Sequence, residues 1–244
     1  MTLEDFFQLL SYGPLSSLHV GMSGGGAIAP GSQDRVAAAT NAGLTALYAR
    51  FSQKRDYVNI ELLDGVKRYQ LHPRHNQSDT DPANTAPRFI VDDASQPFPG
   101  DLVKVIEVRR EDDPATDGNE EGTVEMNGVL PGAIKMLTFD TLYIAQPTPG
   151  TVLEIEYQAG HRKLTLPADL SEEIDLAPPL HEALECYVAA TIFRSMGGEG
   201  DLVQSQTLRA QYEAICATVK SEDLLAESDF AINHASRFRD GGWR

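Results

Sequence analysis

Apolar residues recur at helical spacing near both ends of the chain and alternate at strand spacing between them. Leu3, Phe6, Phe7 and Leu10 share one face of a short helix, which Gly13-Pro14 stops. Ser32 then offers an N-cap and Asp34 a first-turn carboxylate. Behind them Val36, Thr40, Leu44, Leu47, Tyr48 and Phe51 fall on one helical stripe. After Arg55 the period becomes two. Tyr57, Val58, Ile60 and Leu62, then Val66, Tyr69 and Leu71, flank the turn residues Asp64-Gly65 and read as a hairpin. Residues 72–87 carry three prolines among Asn, Asp, Ser and Thr and read as a loop. Further strands are predicted at 89–91, 102–108, 142–144 and 152–157, interrupted by gaps at 111–121 and 128–137.

Pro178-Pro179 opens a second helical block, since proline suits the first turn of a helix and not its interior. Leu180, Leu184, Tyr187, Val188, Thr191 and Ile192 make its stripe, and Gly197-Gly198 ends it. A further helix starts near Gly200-Asp201 and carries Leu208, Tyr212, Ile215, Cys216 and Val219. Two helices joined by so short a turn are expected to pack antiparallel. The chain therefore reads as α+β. An antiparallel helical bundle forms from the N- and C-terminal segments, with a β-rich insertion domain in the middle and an extended C-terminal arm. The boundaries fall at 1–55, 56–175, 176–226 and 227–244. The expected bundle core is Val36, Leu44, Leu47, Tyr48, Phe51, Leu184, Tyr187, Val188, Ile192, Tyr212 and Ile215.

Charge narrows the choice of partners. Thirty-six acidic against 20 basic residues leave a formal charge of -16, which repels phosphates as a whole and argues against nucleic-acid affinity through charge neutralisation. Such acidity also serves solubility. Cys186 and Cys216 both fall in predicted helices and give no disulfide framework. The start Met1-Thr2-Leu3-Glu4-Asp5 is acidic where a secretory leader needs positive charge, and no apolar run approaches the roughly 18 residues of a membrane span. The expectation is a protein kept in a cytoplasm-like compartment or in a particle assembled there, with no membrane partner.

Candidate chemistry is thin. Ser23-Gly24-Gly25-Gly26-Ala27 lacks the lysine of a phosphate-binding loop, and Pro30-Gly31 separates it from the next helix. His181-Glu182-Ala183-Leu184-Glu185 has Glu185 where a zinc helix needs its second histidine, and reads as a solvated helix face. Asp112-Asp113-Pro114-Ala115-Thr116-Asp117-Gly118 resembles a calcium loop in composition alone, because Ala115 and Val124 occupy ligand positions. Asn76-Gln77-Ser78 fits a glycosylation sequon that has no meaning without a secretory route. No serine sits on a nucleophile elbow. No catalytic, cofactor-binding or metal-ligating residue is assigned, and no cofactor is expected.

Ser32-Gln33-Asp34-Arg35-Val36 through Asn41-Ala42-Gly43-Leu44-Thr45-Ala46-Leu47-Tyr48-Ala49-Arg50-Phe51, preceded by Leu10-Ser11-Tyr12-Gly13-Pro14-Leu15-Ser16, resembles the first long helix of tailed-bacteriophage head-to-tail adaptor (connector, neck) proteins. Pro178-Pro179-Leu180-His181-Glu182-Ala183-Leu184-Glu185-Cys186-Tyr187-Val188-Ala189-Ala190, with Tyr212-Glu213-Ala214-Ile215-Cys216 downstream, is similar to their C-terminal helices. The resemblance implies a homo-oligomeric ring, usually of twelve copies, beneath the portal protein. It also implies contact with tail or nozzle proteins, and a lumen through which DNA passes without sequence-specific binding. The location would be the neck of the virion, assembled in the host cytoplasm, and the role structural, without enzymatic turnover. An acidic wall suits a channel through which DNA slides. The basic, aromatic C-terminal arm, with Phe230, Arg237, Phe238, Arg239, Trp243 and Arg244, is then a tether into the portal. Lys67 and Arg68 face either DNA or a neighbouring subunit. The alternatives are another neck or tail-completion protein of the virion and, more remotely, a metal-dependent hydrolase using His181 and Glu182.

Overall fold

The computed structural model describes residues 1–16, 28–110, 134–165 and 167–225. It is a mixed α+β chain in which two ends supply one compact unit, Met1–Gln53 with His161–Arg244, and the middle supplies another, Lys54–Gly160. The arm residues Phe230, Arg237, Phe238, Arg239, Trp243 and Arg244, the glycine run at 23–27 and the acidic stretch 111–121 lie outside the described residues. Among the described residues no helix is long and apolar enough to cross a membrane.

The first unit holds α1 (Leu3–Tyr12), α2 (Pro30–Arg50), α3 (His181–Met196) and α4 (Glu199–Ser221). A capping box starts α1: the Thr2 hydroxyl accepts from the Asp5 N–H at 3.1 Å, and the Asp5 carboxylate accepts from the Thr2 N–H at 3.1 Å. Helix α2 begins earlier than Ser32. Ala29 is its N-cap and Pro30 its first residue, a position where the missing N–H costs nothing. Ser32 is thereby drawn inside the first turn, and Asp34 accepts from the Ala168 N–H at 2.8 Å. A 3-10 turn at Pro178–Leu180 leads into α3, which Gly197 ends in the left-handed region at φ 78°.

One apolar core joins these helices, and Leu3, Phe6, Leu44, Leu47, Leu180, Leu184, Val188 and Cys216 are each at most 1% exposed. Stretch 161–176 belongs to it as well, and this corrects the expected insertion boundary at 175. Leu164, Ile174 and Leu176 are buried in the helical core. The backbone of this stretch is tied to the start of α1 and the residues before it: Leu3 N–H donates to the Glu172 carbonyl and Ile174 N–H to the Met1 carbonyl, each at 2.8 Å. The Asn41 side chain grips Leu164 through both its groups, at 3.1 and 2.9 Å, and the Tyr48 hydroxyl donates to the Asp175 carbonyl at 2.5 Å.

The second unit is two antiparallel sheets. Strands β1 (Arg55–Glu61), β2 (Arg68–Gln70), β3 (Ile90–Val91), β4 (Leu102–Arg110), β5 (Lys135–Thr138), β6 (Thr141–Tyr143) and β7 (Val152–Ala159) pair as β3-β1-β7-β4 and β2-β6-β5. The predicted hairpin is absent. The chain does turn at Asp64-Gly65, with Gly65 at φ 72°, but β1 pairs with β7 over seven residues while β2 crosses to β6 in the other sheet. The Tyr69 hydroxyl locks that crossing, accepting from the Leu63 N–H at 3.0 Å and donating to the Val66 carbonyl at 2.9 Å. Strand β5 occupies part of the stretch read as a gap. The loop at 72–87 is pinned rather than slack: His75 stacks on Phe89 at 4.5 Å, and Asp92 accepts from both the N–H and the hydroxyl of Ser78. Ile60, Tyr69, Phe89, Val108, Leu142 and Ile155 centre the core of this unit, all at most 1% exposed.

Candidate functional site

Where α2 meets α3, Gly43 removes the side chain that would keep the two helices apart. A Cβ there would lie 2.7 Å from Leu184 Cδ1 and 3.1 Å from Tyr187 Cδ1. Eight of the eleven expected core residues on these helices, among them Val36, Leu44, Leu47, Tyr48 and Ile192, together with Phe51 at the end of α2, are buried, while Tyr187 and Ile215 pack against the core half-buried. Tyr187 is half-exposed because it belongs to a surface cluster. Its ring meets Tyr212 edge-on at 5.4 Å, and the Arg209 guanidinium lies over both, 4.6 and 5.1 Å from the ring centroids. Arg50 closes the cluster, 5.9 Å from the Tyr212 centroid and 2.6 Å from the Glu213 carboxylate. That hydrogen bond raises the Arg50 pKa. The cluster fastens α2 to α4 at the surface, and the periodicity that found Tyr187 and Tyr212 gave no sign of the two arginines over them.

Helices α2 and α4 also expose faces of small residues. On α2 these are Ala38, Ala42 and Ala49; on α4 they are Thr207, Ala210 and Ala214, with Val203 60% exposed at the head of the row. In a chain with 56 charged side chains, an uncharged pair of helix faces is notable chemistry. Neither face stood out in the sequence, because small exposed residues carry no periodic signal.

The chemical motifs resolve into structural roles. His181 Nε2 lies 3.0 Å from the Leu176 carbonyl, Glu182 is exposed, and burial followed by the Glu182 charge raises the Glu185 pKa. Among the described residues no group of three His, Cys, Asp or Glu side chains could hold a metal. Cys186 and Cys216 are free and buried. Burial, reinforced by Glu182 and Glu185, pushes the Cys186 thiol up to about 11, so it remains protonated and poorly nucleophilic at neutral pH.

In the β unit, the face of the four-stranded sheet opposite the core is an ion ladder. Glu156, buried on β7, receives Arg55 from β1 at 2.5 Å and Arg109 from β4 at 3.6 Å, and Arg109 in turn meets Glu107 at 2.6 Å. Alternation along β7 explains it: Leu153, Ile155, Tyr157 and Ala159 enter the core, while Glu154, Glu156 and Gln158 face the other way. A cavity of about 340 Å³ beside β1 is lined by Asp56, Asp92, Asp93 and Glu154. Two of those carboxylates are already used by backbone turns, Asp92 by Ser78 and Phe98 and Asp93 by Ser95 and Gln96. No protein-family model matches this chain, and no curated protein matches it in sequence.

Proposed function

We propose that the protein is a structural head-to-tail adaptor of a tailed-bacteriophage virion, a ring of twelve copies beneath the portal that leaves a channel for DNA and a platform for tail or nozzle proteins. The observation that carries this reading is the helical unit assembled from both ends of the chain around one core, with a separate β unit spliced between them. The helices then form an antiparallel bundle that serves as the ring wedge, and residues 227–244 form the arm that reaches the portal. A ring needs heterologous contacts, one patch docking into a different patch on the next copy. The small-residue face of α4 and that of α2 supply two unlike, uncharged patches on which helices of neighbouring copies can approach closely. The net charge of -16 keeps passing DNA from adhering. In this reading nothing is turned over and no cofactor is held.

The test is assembly. Light scattering after size exclusion, and electron microscopy of the protein alone and mixed with its portal, are expected to show a closed ring or a stoichiometric ring-on-portal complex. Ala210→Arg is expected to abolish the ring and leave helical content unchanged, since residue 210 is exposed. Removal of residues 236–244 is expected to weaken portal binding alone. A particle that stays monomeric with and without the portal rules the reading out.

A further inference from the structure

The outer face of the three-stranded sheet is basic and aromatic on an otherwise acidic protein. Register places Arg68 opposite Tyr143 and Tyr143 opposite Lys135, so the three form one cross-strand row. Gln70, Thr141 and Thr138 form the next. Past that row, Arg74 and Phe139 wall a cavity of about 520 Å³. Phe139 is 65% exposed, and Leu137 beside it is 50% exposed. Tyr69, Leu142 and Met136 serve the core on the opposite face, so nothing in the packing of this unit calls for the exposed pair.

The cavity wall is ordered by a continuous chain of hydrogen bonds. The Asp140 carboxylate accepts from Gln70 Nε2 at 2.9 Å, and Gln70 Oε1 accepts from Arg74 Nη2 at 2.5 Å. Arg74 Nε donates to His75 Nε2 at 3.0 Å, and His75 Nδ1 donates to the Pro87 carbonyl at 2.8 Å. A carbonyl only accepts, so Nδ1 carries the proton and Nε2 is free to receive Arg74. The guanidinium is therefore held in one orientation before any ligand arrives, with Nη1 uncommitted among the described residues. Arg68 and Lys135 form no ion pair among the described residues.

We propose that this face binds an acidic protein segment, whose carboxylates meet Arg68, Arg74 and Lys135 while an apolar side chain between them enters the cavity against Phe139. Three features select that partner. A fixed guanidinium matches the planar carboxylate. An extended segment alternates its side chains, which suits a row of cations beside an apolar hollow. Exposed aromatic and arginine side chains together are the residue types that dominate binding energy at protein interfaces. A DNA backbone fits less well, because a run of phosphates carries no apolar side chain to enter the hollow against Phe139. This inference stands apart from the ring reading, since it concerns one protomer's β unit.

The experiment uses the full chain and a blocked octapeptide of alternating glutamate and leucine, titrated by calorimetry and by amide NMR. A lysine–leucine octapeptide and a 20-base-pair duplex serve as comparison probes. The expected result is one-site binding of the acidic peptide alone, with shifts centred on Arg68, Thr138 and Tyr143. Exposed positions allow variants that keep the fold. Arg68→Glu and Phe139→Ser are each expected to weaken binding by about tenfold or more, the loss typical of an interface anchor, with the thermal midpoint unchanged. The proposal is overturned by no binding, by equal binding of the lysine peptide, by undiminished binding to both variants, or by the duplex shifting these residues in place of the peptide. The last outcome reassigns the face to nucleic acid.

Discussion

Gly43 is the residue on which the α2–α3 contact turns, since the side chains of Leu184 and Tyr187 occupy the space its Cβ would take. Gly43→Leu forces a well-packed crossing apart. Overpacking of this kind costs about 2 kcal/mol, so the urea midpoint of the variant is expected to fall with its slope unchanged. Two histidines, His75 buried and His161 half-buried, shape the response to acid. Burial lowers the pKa of His75 and of His161, in each case outweighing a hydrogen bond to a backbone carbonyl. The unfolded chain therefore binds more protons than the folded one once pH drops below the ordinary imidazole value of about 6.5. Stability is full above that value and is lost as pH falls through it toward the folded-state values. Urea unfolding at pH 8, 6.5 and 5.5 is expected to show this decline, and His161→Asn to flatten it. An unaltered slope in that variant would assign the acid sensitivity elsewhere.

Elements differ in how much their own residues decide. Gly197 ends α3 at φ 78° with open space around its α-carbon, so Gly197→Ala meets no clash and pays only for left-handed backbone, about 1 kcal/mol. A loss of that size in chemical denaturation, with helical circular dichroism retained, is the expected outcome. Helices α1, α3 and α4 were legible within a few residues because each carries a clear apolar stripe and α1 and α3 stop at glycine, whereas the start of α2 was not. There a proline at the first helical position set the boundary, and Ser32, a good capping residue, was left inside the turn. The strands were legible as strands but not as a sheet order. Alternation reports that Val58, Ile60, Tyr69 and Leu71 each point inward, and it is silent on which inner face they point toward. A tight turn at Asp64-Gly65 thus joined two sheets where a hairpin was expected. Strand β5 gave little signal because it lies at a sheet edge with only Met136 half-buried against the core. The basic face beside the β5–β6 turn was visible only as Arg68 and Lys67 in isolation. Its remaining members come from other segments: register sets Tyr143 and Lys135 in a row with Arg68, and Arg74 and Phe139 flank the cavity beyond it.

At the scale of the molecule, two cores share one chain, and the points where it enters and leaves the β unit are neighbours. Arg55 pairs with Gln158 at one end of the β1–β7 ladder, and the Ala159 N–H donates to the Lys54 carbonyl at 2.9 Å. The α-carbons of such facing residues lie about 5 Å apart, a gap that two or three flexible residues span. Residues 54–160 can therefore be replaced by a Gly-Gly-Ser linker without stretching the helical unit, whose core draws on Leu164, Ile174 and Leu176 from the returning segment and, among the described residues, on none from 54–160. The shortened protein is expected to unfold in one cooperative transition with helical circular dichroism, and residues 54–160 alone to fold as a β protein. Both follow from cores that are closed within each unit. A shortened chain that binds hydrophobic dye and melts without a transition shows instead that the helices depend on the insertion. If the ring contacts belong to α2 and α4, as the adaptor reading requires, the shortened protein keeps its oligomeric mass per protomer count in light scattering. Loss of the ring in a chain whose helices still melt cooperatively places those contacts in the β unit.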